Sequence, residues 1–534
     1  MERKTGQELA QSRGEQPYRG AVALAGAVRV GEITARDAVE TCIERIEAFD
    51  PVVNAVVLRR FDQARQEADQ ADADLAAGKP PGPLHGVPIT IKDTFHVAGL
   101  PTTVGLASRK NAVEPTDGPL VGRLREAGAI VLGKTNVIQL LVGWETDNQV
   151  FGRTNNPWDP ARTPGGSSGG EAAVVAYGGS KLGLAGDLGG SVRVPAAFCG
   201  VCGLKPTAHR LTLLDMPPAP FSKQEAIVAQ PGPIAASVED LVLAMEVLAA
   251  QRQDAFDASV PPVPWVGPTD DPAALRVGWF EDNGLFTPSP AIRRAVREAT
   301  EALVNHGADV VPIRPPDAER TTSLFLQVGS ADRFRTERTA ARGEKLVPSL
   351  RPMFMTASMP GVLKHALSIG MKSTGRVRLS RVVAVAHPST PHEYFQLLDE
   401  RRQLLAEAMA VWDEAGIDVV VCPVYGLPAP LHGTTTDLLE ATSYAFVASL
   451  FGLPAGTVPV TRVQAAEESD RPDSRDPSDR LAKRVEQGST GLPVAVQVIG
   501  RPWREDLVLA AMAIIEHAAR AAGSAVPLPA AARR

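Results

Sequence analysis

The chain has 534 residues, of which 44% are hydrophobic, and its formal net charge is −6 at pH 7. An acidic chain lacks the positive field that gathers phosphates, so this balance excludes a general nucleic-acid binder. No run approaches the roughly 18 apolar residues of a membrane-spanning helix, and the N-terminus lacks the apolar stretch of a secretory signal. We therefore expect a globular, cytoplasmic protein with a large core.

Hydrophobic periodicity predicts alternating helices and strands along the chain. A helix is expected at 32–49, and Ser289 followed by Pro290 is typical of a helix start, with the serine as cap. The other predicted elements are strands at 87–91, 129–132, 275–280, 309–313, 418–422, 457–460 and 493–499, and helices at 120–127 and about 505–519. Strands alternating with crossover helices predict an α/β fold, with a large twisted mixed β-sheet covered by helices on both faces.

The domain organisation predicted from composition is a single domain over residues 1–534, without internal repeats. The segment 465–483 is rich in Asp, Glu, Ser, Arg and Pro and is expected to be a mobile, solvated insertion. Four cysteines (Cys42, Cys199, Cys202 and Cys422) are too few for a disulfide framework in so long a chain, and Cys199-Gly-Val-Cys202 lacks the further ligands of a zinc site. We expect reduced thiols, no metal and no cofactor.

Two serines lie in glycine-rich turns, Ser167 in GGSSGG (165–170) and Ser191 in GGSVR (189–193). A serine hydroxyl becomes a nucleophile only with a base and with N–H donors for the developing oxyanion. Lys92 ends an apolar strand, where desolvation favours the neutral amine, so it is the candidate base. Lys134 and Lys205 have Gly or Pro neighbours and are predicted to be surface or loop residues. The pattern indicates amide-bond hydrolysis.

Other glycine-rich sites fit less well. The phosphate-binding pattern G-x-x-x-x-G-K-[ST] and the dinucleotide pattern G-x-G-x-x-G are both missing here. Gly165-x-Ser167-x-Gly169 matches the nucleophile elbow of α/β-hydrolases, which requires an acid and a histidine. None of the nine histidines lies in a sequence setting that indicates such a catalytic partner. The elbow is therefore the weaker, competing interpretation of Ser167.

Residues 165–207 closely resemble the signature segment of the amidase signature family, and segments 85–95, 133–137, 155–160, 452–456 and 491–506 resemble other parts of it. The signature core extends over about 85–210, and the resemblance from about 25 to about 520. It implies a Ser-Ser-Lys triad, in which Ser191 is the acyl-forming nucleophile, Ser167 the bridging serine on a cis peptide and Lys92 the base. It also implies an oxyanion hole formed by the N–H groups of Leu188, Gly189, Gly190 and Ser191. One departure is Gly186, where relatives usually carry threonine.

Within the family, the chain is most similar to the fatty acid amide hydrolase branch, partly because Glu171 follows GGSSGG. That branch implies an acyl channel at Leu141, Val142, Thr442 and Phe446, and a cap-like segment at about 350–385. Residues 351–381 contain no Asp or Glu, carry six Lys or Arg residues, and include four of the nine methionines. Such a segment fits a peripheral membrane contact, but also a helix packed on the core or a dimer contact.

The expected function is a serine amidohydrolase that cleaves lipophilic or fatty acid amides as small-molecule substrates. Three alternatives remain open: an amidotransferase subunit that uses ammonia from a partner, an aryl or short-chain amidase or esterase, and a non-catalytic binding protein. A homodimer and a membrane-peripheral location are further expectations.

Overall fold

A computed structural model of the protein describes residues 18–214, 216, 225–250, 252–268, 275–385, 390–524 and 529. Within these residues, eleven strands form one mixed sheet in the order β1-β3-β2-β6-β8-β7-β12-β13-β11-β9-β10. They are β1 (Val56–Arg59), β2 (Pro88–Lys92), β3 (Ile130–Thr135), β6 (Leu182–Asp187), β7 (Cys202–Lys205), β8 (Gln230–Ala235), β9 (Arg276–Trp279), β10 (Asp309–Pro312), β11 (Val419–Pro423), β12 (Ala455–Arg462) and β13 (Pro493–Gly500). A separate hairpin pairs β4 (Asp147–Asn148) with β5 (Gly152–Arg153).

The helices pack on both faces of this sheet. They are α1 (Ala21–Arg29), α2 (Ala35–Val53), α3 (Phe61–Ala76), α4 (Pro119–Glu126), α5 (Gly169–Ala176), α6 (Arg193–Cys199), α7 (Val238–Leu248), α8 (Pro290–Asn305) and α9 (Ala318–Ser330). The second half contributes α10 (Arg335–Ala340), α11 (Leu350–Ser358), α12 (Gly361–Ser373), α13 (Val377–Val385), α14 (Pro391–Glu414), α15 (Ser443–Phe451), α16 (Pro477–Glu486) and α17 (Glu505–Ala521).

The central strands β2, β3 and β6 are buried at every position, as expected of parallel strands covered on both faces. β2 runs parallel to both β3 and β6, so the carboxyl ends of these strands lie at one edge of the sheet. β6 then pairs antiparallel with β8, which makes the sheet mixed. The predicted fold class is confirmed.

The predicted helix at 32–49 is confirmed, and the helix start predicted at Ser289 and Pro290 is confirmed in part. The helix predicted at 32–49 is α2, where Thr34 accepts a hydrogen bond from the Asp37 N–H. Pro290 does begin α8 directly after Ser289. The Ser289 hydroxyl, however, makes no capping hydrogen bond, and within the described chain its buried oxygen has no partner. Ser289 therefore occupies the cap position through its backbone conformation alone.

The prediction that Lys134 and Lys205 are surface or loop residues is wrong. Lys134 lies in β3, fully buried, with Nζ 2.9 Å from Asp93 Oδ1 and 2.7 Å from the Pro101 carbonyl oxygen. Lys205 ends β7, where its Nζ donates to the Pro206 carbonyl at 2.8 Å, and burial lowers its pKa to about 7. Gly133 lies within β3 and Pro206 directly follows β7, and both strands are buried at every position.

The charged segment 465–483 contains a short 3₁₀ helix at Ala465–Glu467 and the first part of α16. Arg471 in this segment pairs with the buried Glu486 at 2.8 Å, and Glu467 pairs with Arg294 of α8 at 2.6 Å. Its mobility stays a prediction.

Candidate active site

A cavity of about 610 Å³ opens at the sheet edge where β2 and β6 end. Lys92 is the last residue of β2, and Asp187 is the last residue of β6. Lys92, Ser167 and Ser191 all line this cavity. The structure thus brings the three residues of the predicted triad to one place, although they come from three separate parts of the chain.

Lys92 and Ser167 are in direct contact. Lys92 Nζ lies 2.8 Å from Ser167 Oγ and 3.2 Å from the Gly186 carbonyl oxygen, and both side chains are buried. The Gly166–Ser167 peptide bond is cis. Gly166 lies so close to the backbone of Glu145 that a Cβ would stand 1.9 Å from the Glu145 carbonyl oxygen. Only glycine fits there, so the turn that presents Ser167 depends on it.

Burial makes the Lys92 amine available as a base at neutral pH. Desolvation lowers its pKa from 10.5 to about 7, although the carboxyl groups of Asp187 and Glu171 act in the opposite direction. A free-base amine has a lone pair that can accept the hydroxyl proton of Ser167. The contact with Ser167 and the lowered pKa of Lys92 therefore both fit the predicted role of Lys92 as the base.

The turn that carries Ser191 is organised by the Asp187 carboxylate. Asp187 accepts hydrogen bonds from the N–H groups of Gly190 (2.7 Å) and Val192 (3.1 Å) and forms a buried ion pair with Arg193 at 3.0 Å. Burial opposes the ionisation of Asp187, but Arg193 and the N–H donors outweigh it and hold the pKa at about 2. The carboxylate thus fixes the turn between β6 and α6.

The oxyanion donors follow from this turn. Leu188, Gly189 and Ser191 line the cavity, whereas Gly190 is not a lining residue and its N–H donates to Asp187. Three of the four predicted donors therefore remain candidates in this conformation. Within the described chain, the Ser167 and Ser191 hydroxyls are not hydrogen-bonded to each other, which is common before substrate binds.

Part of the cavity lining is apolar, and we call this part the apolar arm. Its walls come from α9 and from the cap segment, which we define as residues 350–385. The apolar side chains on these walls are Phe325, Leu326, Leu350, Met353, Leu379, Val382 and Val383. A channel of this composition binds a hydrocarbon portion of a ligand by burying its surface.

Comparison with known proteins places this site in a family. The family model described as Amidase matches residues 37–509. The chain belongs to the amidase family. It is 32% identical over 459 residues to a fatty-acid amide hydrolase 1 of Sus scrofa, which covers 84% of this chain and 78% of that one. This amidase is thus an amide hydrolase, as predicted.

One further relative and one solved structure are also similar to most of the chain. The amidase is 32% identical over 517 residues to a glutamyl-tRNA(Gln) amidotransferase subunit of Oleidesulfovibrio alaskensis, covering 92% of this chain and 96% of that one. A solved structure of a fatty acid amide hydrolase superposes with a TM-score of 0.79 at 25% identity, covering 94% of this chain and 85% of that one.

The four predicted channel residues of the amidase divide into two pairs. Leu141 and Val142 line the cavity. Thr442 and Phe446 are fully buried and lie behind its wall, where Phe446 stacks on Phe325 with ring centroids 4.1 Å apart. Thr442 ends the 3₁₀ helix Leu439–Thr442, and Leu439, one turn earlier, is the residue that reaches the cavity.

Trp144 is a site residue that sequence reasoning missed. Its indole N–H donates to the Gly189 carbonyl oxygen at 2.9 Å, so it fixes the peptide between the two oxyanion glycines. Phe325 covers the same turn, since a Cβ at Gly189 would lie 2.9 Å from that ring. No local pattern distinguishes Trp144 from a core tryptophan. By contrast, Asp187 and Arg193 flank the oxyanion glycines closely enough to have been recognised as a pair.

The departure at Gly186 leaves room in the cavity. A Cβ built at Gly186 would meet nothing closer than Met216 Cε at 3.7 Å, and its φ is not in the left-handed region. A side chain is therefore sterically acceptable at this position, directly beside the carbonyl that contacts Lys92.

Proposed function

We propose that this amidase hydrolyses lipophilic amides through an acyl-enzyme on Ser191. The single observation that carries the proposal is that one cavity is lined both by Lys92, Ser167 and Ser191 and by the side chains of the apolar arm. A carbonyl held at Ser191 has a wall of aliphatic and aromatic side chains beside it to receive an acyl chain.

The proposed mechanism is a proton relay. Free-base Lys92 takes the proton of Ser167, which takes the proton of Ser191 as Ser191 Oγ attacks the amide carbon. The N–H groups of Leu188, Gly189 and Ser191 stabilise the oxyanion. When the C–N bond breaks, the relay returns a proton to the leaving amine. Water, deprotonated by the same relay, then attacks the ester carbon and releases the carboxylic acid.

The dependence of hydrolysis on the length of the substrate's acyl chain tests the proposed preference for lipophilic amides. We expect kcat/KM for primary acyl amides to rise about fourfold per added CH₂, because each buried CH₂ contributes about 0.8 kcal/mol, until the arm is filled. Ser191→Ala is the control for background activity. Indifference to chain length would reject the lipophilic specificity and leave a short-chain or aryl amidase, and ester analogues in the same series test the esterase alternative.

A second candidate function rests on the similarity to the amidotransferase relative, which by its name is one subunit of a larger enzyme. An amidotransferase subunit using ammonia from a partner would not hydrolyse lipophilic amides alone and would co-purify with other subunits. Turnover by the purified chain therefore separates the two candidates, and sedimentation of the same sample tests the proposed homodimer.

We further propose that the cap segment contacts the membrane peripherally from the cytoplasmic side. Val362 is 84% exposed, and the other exposed apolar residues of α11 and α12 are Met355, Leu363, Leu367 and Ile369. Arg351 and Lys372 lie on the same two helices, and basic residues around an apolar face favour an anionic bilayer surface. Within the described chain, every helix is too short or too polar to traverse a bilayer.

A further inference from the structure

Glu171 is a buried acidic residue beside the triad to which the mechanism above assigns no role. It lies in the first turn of α5, four residues after Ser167, and its side chain is fully buried. A buried carboxyl group is costly unless its oxygens are satisfied, so its partners indicate what it does.

The Glu171 carboxyl group joins the two strands that hold the base. Thr90 Oγ1 donates to Glu171 Oε2 at 2.6 Å, and Thr135 Oγ1 donates to Glu171 Oε1 at 2.8 Å. Thr90 is two residues before Lys92 in β2 and therefore shares its face, and Thr135 of β3 is the register partner of Lys92. The carboxyl group thus bridges β2 and β3 on the face from which the Lys92 amine projects.

A third strand closes the site. The backbone of β6 passes so close that a Cβ at Gly183 would lie 2.2 Å from Glu171 Oε2. Gly183 pairs with Thr90 in the sheet, so the carboxyl group lies against β2, β3 and β6 together. Nothing larger than glycine leaves room for it.

The charged groups around Lys92 and Glu171 are few. Lys92 interacts with Glu171 of α5 and with Asp187 of β6, and Asp187 is itself paired with Arg193 of α6. Glu171 interacts with Lys92 as its charged neighbour and with the hydroxyls of Thr90 and Thr135. Burial raises the pKa of Glu171 to about 8, while burial lowers that of Lys92 to about 7. Near neutral pH both groups can therefore be uncharged, and the carboxyl O–H then donates to one of the two threonine hydroxyls while the other hydroxyl still donates to the carboxyl group.

We propose that Glu171 is a positioning residue whose uncharged carboxyl group ties β2 to β3 and so keeps the Lys92 amine, as a free base, against Ser167. The inference rests on the proposed relay, in which Lys92 must be neutral. Its reason is electrostatic: a charged Glu171 attracts a positive charge onto Lys92, and an ammonium group cannot accept the proton of Ser167.

The test is the pH dependence of kcat/KM for a soluble short-chain amide in Glu171→Gln. A glutamine side chain offers one acceptor and one donor, as an uncharged carboxyl group does, so it keeps the bridge. Because it replaces one uncharged group with another, the acid limb should stay within about 0.3 pH unit of wild type, and the plateau should stay within about threefold. Glu145→Gln is the matched control, since Glu145 is also a buried, hydrogen-bonded acid, and its limb should not move.

A second pair of variants covers a folding failure of the first. Thr135→Val removes one hydroxyl of the bridge and leaves the charge of Glu171 unchanged, so its plateau should fall about tenfold while its acid limb stays in place. Thr135→Ser keeps the hydroxyl and should restore the wild-type profile. A wild-type plateau in folded Thr135→Val, or an acid limb that moves to lower pH by about one unit in folded Glu171→Gln, would overturn the inference. Full activity of Ser191→Ala would instead overturn the proposed mechanism.

Discussion

At the scale of single residues, the proposed lysine base of this amidase owes its lowered pKa to where it lies. Lys92 ends a strand that is buried at every position, and its amine contacts only Ser167 and the Gly186 carbonyl within the hydrogen bonds of the described chain. Desolvation lowers its pKa to about 7, against the attraction of Asp187 and Glu171. In the proposed relay the neutral form is the active one, so activity should be gained as pH rises through this pKa.

The direction of this pH dependence gives a direct kinetic prediction. For a soluble amide, kcat/KM should rise with a single ionisation near pH 7 and reach a plateau above it. Lys92→Met should lower the plateau by about a thousandfold or more, the scale seen when a general base is removed from such a unit. Lys205→Met is the matched control, because Lys205 is also buried with a pKa of about 7 but does not line the cavity. Loss of the acid limb in the Lys205 variant, with the limb intact in the Lys92 variant, would contradict this assignment.

Trp144 supplies a second residue-scale prediction. Trp144→Phe keeps an aromatic ring beside Phe446 but removes the donor to the Gly189 carbonyl, so the oxyanion turn is held less firmly. We expect kcat to fall about tenfold with KM changed by less than about threefold, since a hydrogen bond of this kind contributes about 1–1.5 kcal/mol. Steady-state kinetics on one amide measure both. A rise in KM with unchanged kcat would show instead that the indole only contacts substrate.

At the scale of elements, the turn between β6 and α6 is built around one buried ion pair. Asp187 and Arg193 are both fully buried, and Arg193 also donates to the Ala445 carbonyl at 3.0 Å and to Ser449 Oγ at 2.8 Å. The pair therefore ties the oxyanion turn to α15. A buried ion pair is weak evidence of net stabilisation, but removing one partner leaves the other charge uncompensated.

The corresponding prediction concerns stability. Asp187→Asn should lower the free energy of unfolding by about 3–5 kcal/mol, because Arg193 then remains buried without its counter-charge. Urea denaturation measures it, with Asp309→Asn as the control. Asp309 pairs with Arg276 at the surface, so its loss should change the free energy of unfolding by about 1 kcal/mol or less. Equal effects in the two variants would contradict the structural role given to Asp187.

Elements with a strong apolar run were predictable from sequence, and the exceptions have physical reasons. The strands predicted at 87–91 and 493–499 correspond to β2 and β13, whose buried faces leave a continuous hydrophobic pattern. The burial of Lys134 and Lys205 was not predicted, because a Gly or Pro neighbour in the sequence does not show whether other parts of the fold cover the residue. Likewise, the Asp187 contact to the Gly190 N–H depends on backbone orientation, which residue identity does not specify.

At the scale of the whole molecule, the cap segment connects the catalytic cavity with the surface. α11 and α13 contribute Leu350, Met353 and Val382 to the cavity wall, while α12 carries exposed Val362 and Leu363 on the outside. Arg378 and Arg381 of α13 both pair with Glu440, which anchors this helix to the body of the enzyme. The same segment thus forms the apolar arm and presents the proposed membrane contact.

Vesicle binding tests that contact. The double change Val362→Ser and Leu363→Ser should weaken binding to anionic phospholipid vesicles about tenfold or more, because each apolar side chain that enters the bilayer contributes about 1.5 kcal/mol or more. Hydrolysis of a soluble amide should be unchanged. Val304→Ser is the control, since Val304 is an exposed valine of α8, outside the cap segment. Equal vesicle binding by wild type and the double variant would reject the membrane contact.

In the proposed mechanism Ser191 is the nucleophile, and Ser167 relays its proton to Lys92. The most direct measurement is peptide mapping of the protein after reaction with a fluorophosphonate probe, in wild type and in Ser191→Ala. We expect one adduct, on Ser191, that disappears in Ser191→Ala and forms more slowly in Lys92→Met. An adduct on Ser167 alone, or labelling that persists unchanged in Ser191→Ala, would contradict it and return Ser167 to the role of a nucleophile-elbow serine.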